Sequence, residues 1–166
     1  MDLIEAIKTR RSIHKFKPEP VPAEKLETIL EAARWSPSGG NTQPWRFVVF
    51  SDASLKGEVA GLFQWGGALA EAPLGIAVVV DPGVSGYTLE DGSVAAYGIM
   101  LAAHAIGLGS CWVATNSNEA KAKGLLGIPA GQKLIALLAV GYADEAPTKT
   151  RKALTEFVST GRYGGK

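Results

Sequence analysis

Two apolar runs set the strongest limit on the fold of this chain. Residues 74–80 (LGIAVVV) and 134–140 (LIALLAV) carry no charged or polar side chain and show no alternation. A strand that has one face in water alternates with a period of two, whereas a strand without alternation is covered on both faces. We therefore expect both runs to be strands of a central sheet that carries helices on both sides.

The remaining periodicity predicts the elements around these two strands. Capping residues and apolar spacing of three and four residues mark the helices, and short β-rich runs mark two further strands. The predicted elements are helices after Asp2, between Pro22 and Pro37, after Asp52, over 90–106 and over 119–126, and strands over 47–50 and 110–115. The expected fold is α+β, with about four strands in one domain over residues 1–166.

Composition excludes several classes of protein. The chain has 166 residues, 46% of them hydrophobic, and its 17 Lys and Arg nearly balance 16 Asp and Glu. No overall field therefore favours nucleic acid or an anionic membrane. The single cysteine, Cys111, cannot form an internal disulfide, and the first residues lack the layout of a signal peptide. We expect a cytoplasmic protein.

One stretch without Asp, Glu, Lys or Arg, residues 92–118, is long enough in principle to cross a membrane. Glycines at 107 and 109 interrupt it, and the side chains of His104 and Thr115 would have to be solvated in lipid. A buried helix followed by a buried strand fits this stretch better.

The local charge is less even than the total. Residues 8–17 (KTRRSIHKFK) hold five Lys or Arg and no acid, and a second basic cluster follows at 149–152 (KTRK). Such runs are usually solvated faces, but these two segments also have the composition of one anion site. Arginine suits a phosphate because its guanidinium donates two parallel charged hydrogen bonds.

The loop at 36–45 (SPSGGNTQPW) is the other unusual stretch, since it connects a helix to a strand through uncharged hydrogen-bonding side chains, among them Ser38, Asn41, Thr42 and Gln43. Metal, nucleophile and nucleotide motifs are absent: the two histidines and one cysteine have no ligand spacing, and no G-x-S-x-G, Walker or Rossmann pattern occurs. An anion site, neutral donors and apolar surface together describe a flavin mononucleotide (FMN) better than a metal or a nucleic acid.

Four motifs occur in a specific order: RRSIHKF, PSGGNTQPWRF, GLGSCW and KTR. The ordered set, which spans essentially the whole chain, resembles the nitroreductase family of FMN-dependent oxidoreductases. The resemblance implies a central mixed or antiparallel sheet flanked by helices, in an intertwined homodimer that shares two FMN sites. It also implies that the C-terminal tail is exchanged onto the partner.

In such enzymes hydride passes from NAD(P)H to flavin N5 and then to a nitroaromatic, quinone or similar acceptor in a ping-pong cycle. The resemblance therefore implies that the flavin carries the chemistry and that no side chain acts as a catalytic acid or base.

The resemblance assigns flavin-binding roles residue by residue. The phosphate positions are Arg10, Arg11, Ser12, Lys149 and Arg151, and His14 falls near the ribityl chain and the pyrimidine edge. Residues that reach the flavin from the partner are Pro37, Ser38, Gly39 and Asn41, with Gln43 in the same motif in a less defined role. The strand under one ring face is Cys111, Trp112 and Val113, and the backbone amides of Ala114 and Thr115 face flavin N5 and O4.

Several points stay open at this level. The family usually has Arg or Lys where His14 stands, and the effect of a titratable side chain there on the flavin potential is undetermined. Segments 64–72 and 83–92 are expected to shape the substrate entrance, without assigned residues. Related chemistry (dehalogenation or flavin breakdown), a non-catalytic flavin-binding protein and a nucleic-acid-binding module are the alternatives; neutral charge disfavours the last.

Overall fold

The computed structural model describes residues 1–115 and 117–165, which form a helix-covered antiparallel sheet. The helices are α1 Leu3–Thr9, α2 Ala23–Arg34, α3 Ala53–Gly61, α4 Gly67–Glu71, α5 Thr88–Ala105 and α6 Glu119–Leu125, and the strands are β1 Trp45–Phe50, β2 Leu74–Val80, β3 Gly109–Val113 and β4 Lys133–Gly141. Within the described residues the sheet has four strands in the order β1-β2-β4-β3.

The two runs without alternation are the two inner strands. Every residue of β2 is buried, and β4 is buried from Ala136 to Gly141. β2 pairs antiparallel with β1 on one side and with β4 on the other. At the end of this ladder Gly75 lies opposite Phe50, and a Cβ on Gly75 would come within 2.5 Å of the Phe50 ring. The glycine therefore lets the ring lie across the strand.

Helices cover both faces of the sheet, as predicted. One core lies between the sheet and α3, α4 and α6, and contains Val79, Cys111 and Val113. The other lies between the sheet and α2 and α5, and contains Ile76, Ile99 and Val140. Because β2 and β4 contribute side chains to both cores, they are buried on both faces of the sheet, which explains the absence of alternation.

The structure differs from the sequence prediction in one additional helix and in the bounds of several elements, among them β3, which ends at Val113 and not at residue 115. α4 was not predicted, because a helix of five residues is too short to show periodicity. Pro22 is the residue before α2 and not its first residue, and β1 begins at Trp45, earlier than expected. The buried Lys56 of α3 donates a hydrogen bond from Nζ to the carbonyl of Ala72, which closes the end of α4.

Two surfaces expose large apolar side chains. Leu3, Ile4 and Ile7 on α1 share one face, as the spacing predicted, but that face is open to solvent. The C-terminal segment exposes Leu154, Phe157 and Val158. Apolar patches of this kind mark interaction surfaces in soluble proteins. None of the helices within 1–115 and 117–165 combines the length and the apolarity needed to cross a membrane.

Candidate functional site

An extended segment at 10–17 runs beside β3 and the end of β4. Ile13 N–H donates to the Ser110 carbonyl at 3.0 Å, and Ser12 forms a parallel bridge with Ser110. Phe16 then forms an antiparallel bridge with Ala143, just after β4. The first basic segment is thereby fixed against the strand that leads into the second.

The two basic segments meet at Arg11. Its guanidinium Nη1 donates to the carbonyls of Lys8 at 2.8 Å and Arg10 at 2.9 Å, and its Nη2 donates to the carbonyl of Lys149 at 3.4 Å. An open cavity of about 340 Å³ lies between Thr9 and Arg11 on one side and residues 147–150 on the other. Of the two interpretations left open by the sequence, the structure supports one composite basic site.

Three buried polar side-chain atoms in the described residues have no hydrogen-bond partner, and all belong to this region. They are Arg10 Nη1, Arg11 Nε and Ser110 Oγ. A buried donor without a partner costs about 1–3 kcal/mol, and such groups are rare away from functional sites. The sequence did not single out Ser110, which is 2% exposed and lies opposite Ser12. Unpaired donors on two arginines and on a neighbouring serine fit an anionic ligand such as a phosphate.

Glu145 is a second residue that the sequence did not single out. One oxygen of its carboxylate accepts hydrogen bonds from the backbone N–H groups of His14 and Lys15, and lies 3.7 Å from His14 Nδ1. The hydrogen bond from the His14 backbone holds the pKa of Glu145 below its usual value. An acid therefore lies at the position expected near the flavin ring, bonded to backbone amides.

The 36–45 loop owes its shape to an internal hydrogen bond and unusual backbone angles. Ser38 Oγ accepts from Gln43 N–H at 2.9 Å, across a turn of 3₁₀ helix over Gly39–Asn41. Asn41 and Gln43 have φ angles of 56° and 50°, a region that few residues other than glycine adopt. Strain of this kind recurs at functional sites. Asn41 and Gln43 are exposed, and the side-chain amide of Gln43 donates to the Asn41 carbonyl at 3.3 Å.

Asp91, at the start of α5, anchors this loop. It is 4% exposed, and its carboxylate accepts from Gly39 N–H at 2.9 Å and from the Ser85 hydroxyl at 2.6 Å. A Cβ on Gly39 would lie 2.5 Å from the Tyr87 ring, so only glycine allows this close approach. The segment 83–92, left unassigned by the sequence, thus holds the loop in place.

Within one chain the loop and the basic site are far apart. The loop leads into Trp45, level with Val80 and Lys133, whereas Ser110 lies level with Val140 at the other end of β4. β1 and β3 are the outermost strands, so three strand spacings, roughly 14 Å, separate them across the sheet. Among the described residues no hydrogen bond or ion pair joins residues 36–43 to either basic segment.

β3 and the residues after it separate the two cores. Cys111 and Val113 belong to one core, and Trp112 packs against the other. Burial raises the pKa of the Cys111 thiol, which keeps it protonated and unreactive. Thr115 directs its hydroxyl inward and donates to the Leu134 carbonyl at 3.1 Å, whereas Ala114 is exposed.

Comparison with known proteins identifies the family. The profile of the nitroreductase family matches residues 7–83 and 65–142. The chain belongs to the nitroreductase family.

The similarity to individual relatives extends over most of this chain and most of theirs. An archaeal relative from Methanothermobacter thermautotrophicus, provisionally named an NADH dehydrogenase/NAD(P)H nitroreductase, is 35% identical over 153 residues, which cover 89% of this chain and 80% of the relative. The solved structure of an FMN-dependent nitroreductase from Clostridium difficile is 30% identical with a TM-score of 0.90, covering 96% of this chain and 99% of that one. An iodotyrosine deiodinase from Thermotoga neapolitana is 29% identical over 172 residues, 89% of this chain and 91% of the relative.

In this member of the nitroreductase family, the predicted site residues therefore fall into separate groups. Arg10, Arg11, Ser12, His14 and Lys149 come together beside β3. Arg151 lies in the segment that follows Lys149, and its guanidinium donates to the Thr150 carbonyl. Pro37, Ser38, Gly39, Asn41 and Gln43 form the distant loop, and Cys111, Trp112, Val113, Ala114 and Thr115 lie along and after β3.

His104 lies next to the arginines of this nitroreductase. The Thr9 hydroxyl donates its single proton to the Glu5 carbonyl at 2.7 Å, so at its 2.8 Å contact with His104 it accepts from Nε2–H. In this tautomer protonation of the ring adds the second proton at Nδ1. Burial, followed by the charges of Arg10 and Arg11, lowers the pKa of His104, and Glu5 opposes this shift weakly.

We expect the His104→Gln variant to gain stability relative to the wild type as the pH falls from about 7.5 to about 5. Because the pKa of His104 is lowered on folding, the unfolded chain binds more protons in this range, and lowering the pH favours unfolding of the wild type. Urea unfolding of both proteins at several pH values measures the difference. His14 is common to both chains, and a pH-independent difference in unfolding free energy would contradict the assignment.

Proposed function

We propose that this chain is an FMN-dependent oxidoreductase that takes hydride from NAD(P)H and delivers it to a small acceptor such as a nitroaromatic compound or a quinone. The observation that carries the proposal is the group of unpaired buried donors on Arg10, Arg11 and Ser110, next to Lys149. A bound FMN would supply the hydride chemistry, taking the hydride at its N5 atom and passing it on. One domain over residues 1–166, acting in the cytoplasm, is part of the same proposal.

The basic site is proposed to hold the phosphate of FMN. Arg10, Arg11, Ser12, Lys149 and Arg151 provide guanidinium, hydroxyl and ammonium groups from two segments. A phosphate oxygen next to the buried Nη1 of Arg10 would satisfy a donor that has no partner among residues 1–115 and 117–165. Charged hydrogen bonds of this kind are worth about 1.5–3 kcal/mol each, which is the right order for retaining a cofactor through purification.

Neutral groups are proposed to meet the rest of the flavin. β3, with Cys111, Trp112 and Val113, supports one face of the ring, and His14 lies at the pyrimidine edge. The backbone amides of Ala114 and Thr115 would donate near N5 and O4, while the hydroxyl of Thr115 is bonded to the carbonyl of Leu134 and takes no part. A ring edge and a sugar alcohol need donors without charge, which is what Ser38, Asn41 and Gln43 offer.

The loop and the basic site are proposed to meet across a homodimer. The loop of one chain would complete the site of its partner, since the two lie at opposite edges of one sheet. The exposed apolar faces of α1 and of the C-terminal segment support this, because a dimer with an exchanged tail would cover them. A monomer would then have half a site.

The dimer can be tested at Leu154, whose side chain is 75% exposed in the single chain. If the tail packs on the partner, Leu154→Ser removes a buried leucine and raises the dimer dissociation constant about tenfold or more. Sedimentation equilibrium measures this constant, and Thr155→Ala is the matched control. A wild-type protein that is monomeric at micromolar concentration, or an unchanged constant in the leucine variant, would contradict the exchanged tail.

The decisive test of function is the absorption spectrum of the purified protein, followed by anaerobic titration with NADH and with NADPH. Bound FMN should give the yellow flavin spectrum, and one equivalent of either donor should bleach it. A bound flavin that neither donor bleaches would favour a non-catalytic flavin-binding protein. Failure of the protein to take up FMN on reconstitution would refute the proposal and favour a protein that binds another anion or a nucleic acid.

Reductive dehalogenation is the second candidate, because the iodotyrosine deiodinase relative matches 89% of the chain. Its identity is lower than that of the nitroreductase relative, so it ranks below the first proposal. Release of iodide from iodotyrosine by the reduced protein would favour it. Turnover of a nitroaromatic or a quinone without iodide release would favour the first proposal.

A further inference from the structure

The two basic segments are joined by a short backbone ladder that stops before the basic residues of the second one. Phe16 bridges Ala143, Lys17 N–H donates to the Tyr142 carbonyl at 2.9 Å, and Asp144 N–H donates to the Lys15 carbonyl at 2.9 Å. In the described residues no backbone hydrogen bond joins the segments beyond Asp144. Lys149 and Arg151 are therefore positioned by other means.

Two side chains continue the connection where the ladder ends. Glu145, four residues before the second segment, accepts from the backbone N–H groups of His14 and Lys15 on the first. Arg11, on the first segment, donates to the carbonyl of Lys149 on the second, while its other amino group donates to carbonyls of its own segment. The two contacts are reciprocal, since the first segment and the chain that leads into the second each supply one charged side chain to the backbone of the other.

Charge alone argues against a carboxylate at this place. A negative group beside a phosphate site repels the phosphate, so its electrostatic effect would weaken binding. The carboxylate of Glu145 is three-quarters buried, with a side-chain exposure of 26%, and is bonded to two amides. Its hydrogen bonds hold the backbone of the two segments in place, and this ordering favours phosphate binding, which opposes the repulsion between the carboxylate and the phosphate.

We propose that Glu145 and the two terminal amino groups of Arg11 form a clamp that positions Lys149 and Arg151 for the phosphate, while Nε of Arg11 stays available to the phosphate. The inference rests on the proposed FMN-dependent function and deepens it: Arg10 acts only as a ligand, Glu145 acts only as a positioning residue, and Arg11 does both. The clamp affects FMN binding through the position of residues 149–151.

The clamp predicts changes opposite to those of a purely electrostatic role. Glu145→Ala removes both the negative charge and the acceptor, so electrostatics alone would tighten FMN binding, whereas loss of the clamp weakens it about tenfold. Arg11→Lys keeps the charge, so electrostatics alone predicts no change, but an ammonium group lacks the planar fork that reaches carbonyls of both segments. We expect about tenfold weaker FMN binding in this variant as well. Asp144→Asn is the control, because it removes the same charge one residue away.

Hydrogen exchange of the FMN-free proteins supplies a readout that does not depend on the cofactor. Exchange of the His14 and Lys15 amides, which donate to Glu145, should become faster in Glu145→Ala and Arg11→Lys, and should stay at the wild-type rate in Asp144→Asn, with β2 as the internal reference for folding. Unchanged exchange of these two amides, faster exchange over β2 as well, or tighter FMN binding by Glu145→Ala would overturn the clamp. Failure of the wild type to bind FMN would refute the proposed function while the exchange result still decides the clamp.

Discussion

Replacement of Arg10 by alanine should weaken FMN binding about a hundredfold, so that the variant purifies largely colourless. Arg10 Nη1 is buried and has no hydrogen-bond partner among the described residues, so a phosphate oxygen is its expected acceptor. Loss of one or two charged hydrogen bonds to phosphate corresponds to about 2.7 kcal/mol, or two decades in the dissociation constant. Fluorescence titration of the FMN-free proteins with FMN measures this constant.

Two controls separate a phosphate contact from a general effect of the substitution. Riboflavin lacks the phosphate, so its affinity should be the same in Arg10→Ala and in the wild type. Arg46→Ala removes an arginine that lies on β1, where its guanidinium donates to the Trp45 carbonyl, and should leave FMN binding unchanged. An Arg10→Ala protein that purifies fully yellow, with an unaltered dissociation constant, would refute the assignment.

The elements that could be predicted from sequence are those whose pattern is local. β2 and β4 each contain seven consecutive apolar residues, which predict a strand buried on both faces. α2 has an apolar stripe of helical spacing and prolines on both sides. α4 has only five residues between a glycine pair and Pro73, too few for a period to appear. The ordered motifs predicted the family, because each is a short run of sequence that can be recognised without knowing which residues lie near it in the fold.

The site could be predicted only in part, because several of its contacts join residues that are distant in sequence. Glu145 lies 131 residues from the amide of His14, and Asp91 lies 52 residues from the amide of Gly39. Neither acid stands out in the sequence, because acids near helix starts and in polar segments are usually solvated. Only the pairing of Phe16 with Ala143 and the packing of α5 against the loop bring them to their partners. The residues missed are those that position the site.

Replacement of Asp91 by alanine should lower the free energy of unfolding by about 3 kcal/mol. Its buried carboxylate accepts from the N–H of Gly39 and the hydroxyl of Ser85, so the variant leaves one half-buried and one buried donor without their acceptor. The acid also lies in the first turn of α5, where a negative charge is favourable. Chemical denaturation measures the loss, at matched protein concentration because a dimer would make the stability concentration-dependent.

Glu90→Ala is the matched control for this prediction, since Glu90 lies in the same turn of α5 but is exposed. It should change stability by less than about 1 kcal/mol. Asp91→Asn keeps an acceptor for Gly39 and should fall between the two. Hydrogen exchange over residues 36–44 should rise in Asp91→Ala in particular, because the loop loses its anchor to α5 and keeps only hydrogen bonds within the loop itself. Equal stabilities of Asp91→Ala and Glu90→Ala would mean that the carboxylate of Asp91 does not hold the loop.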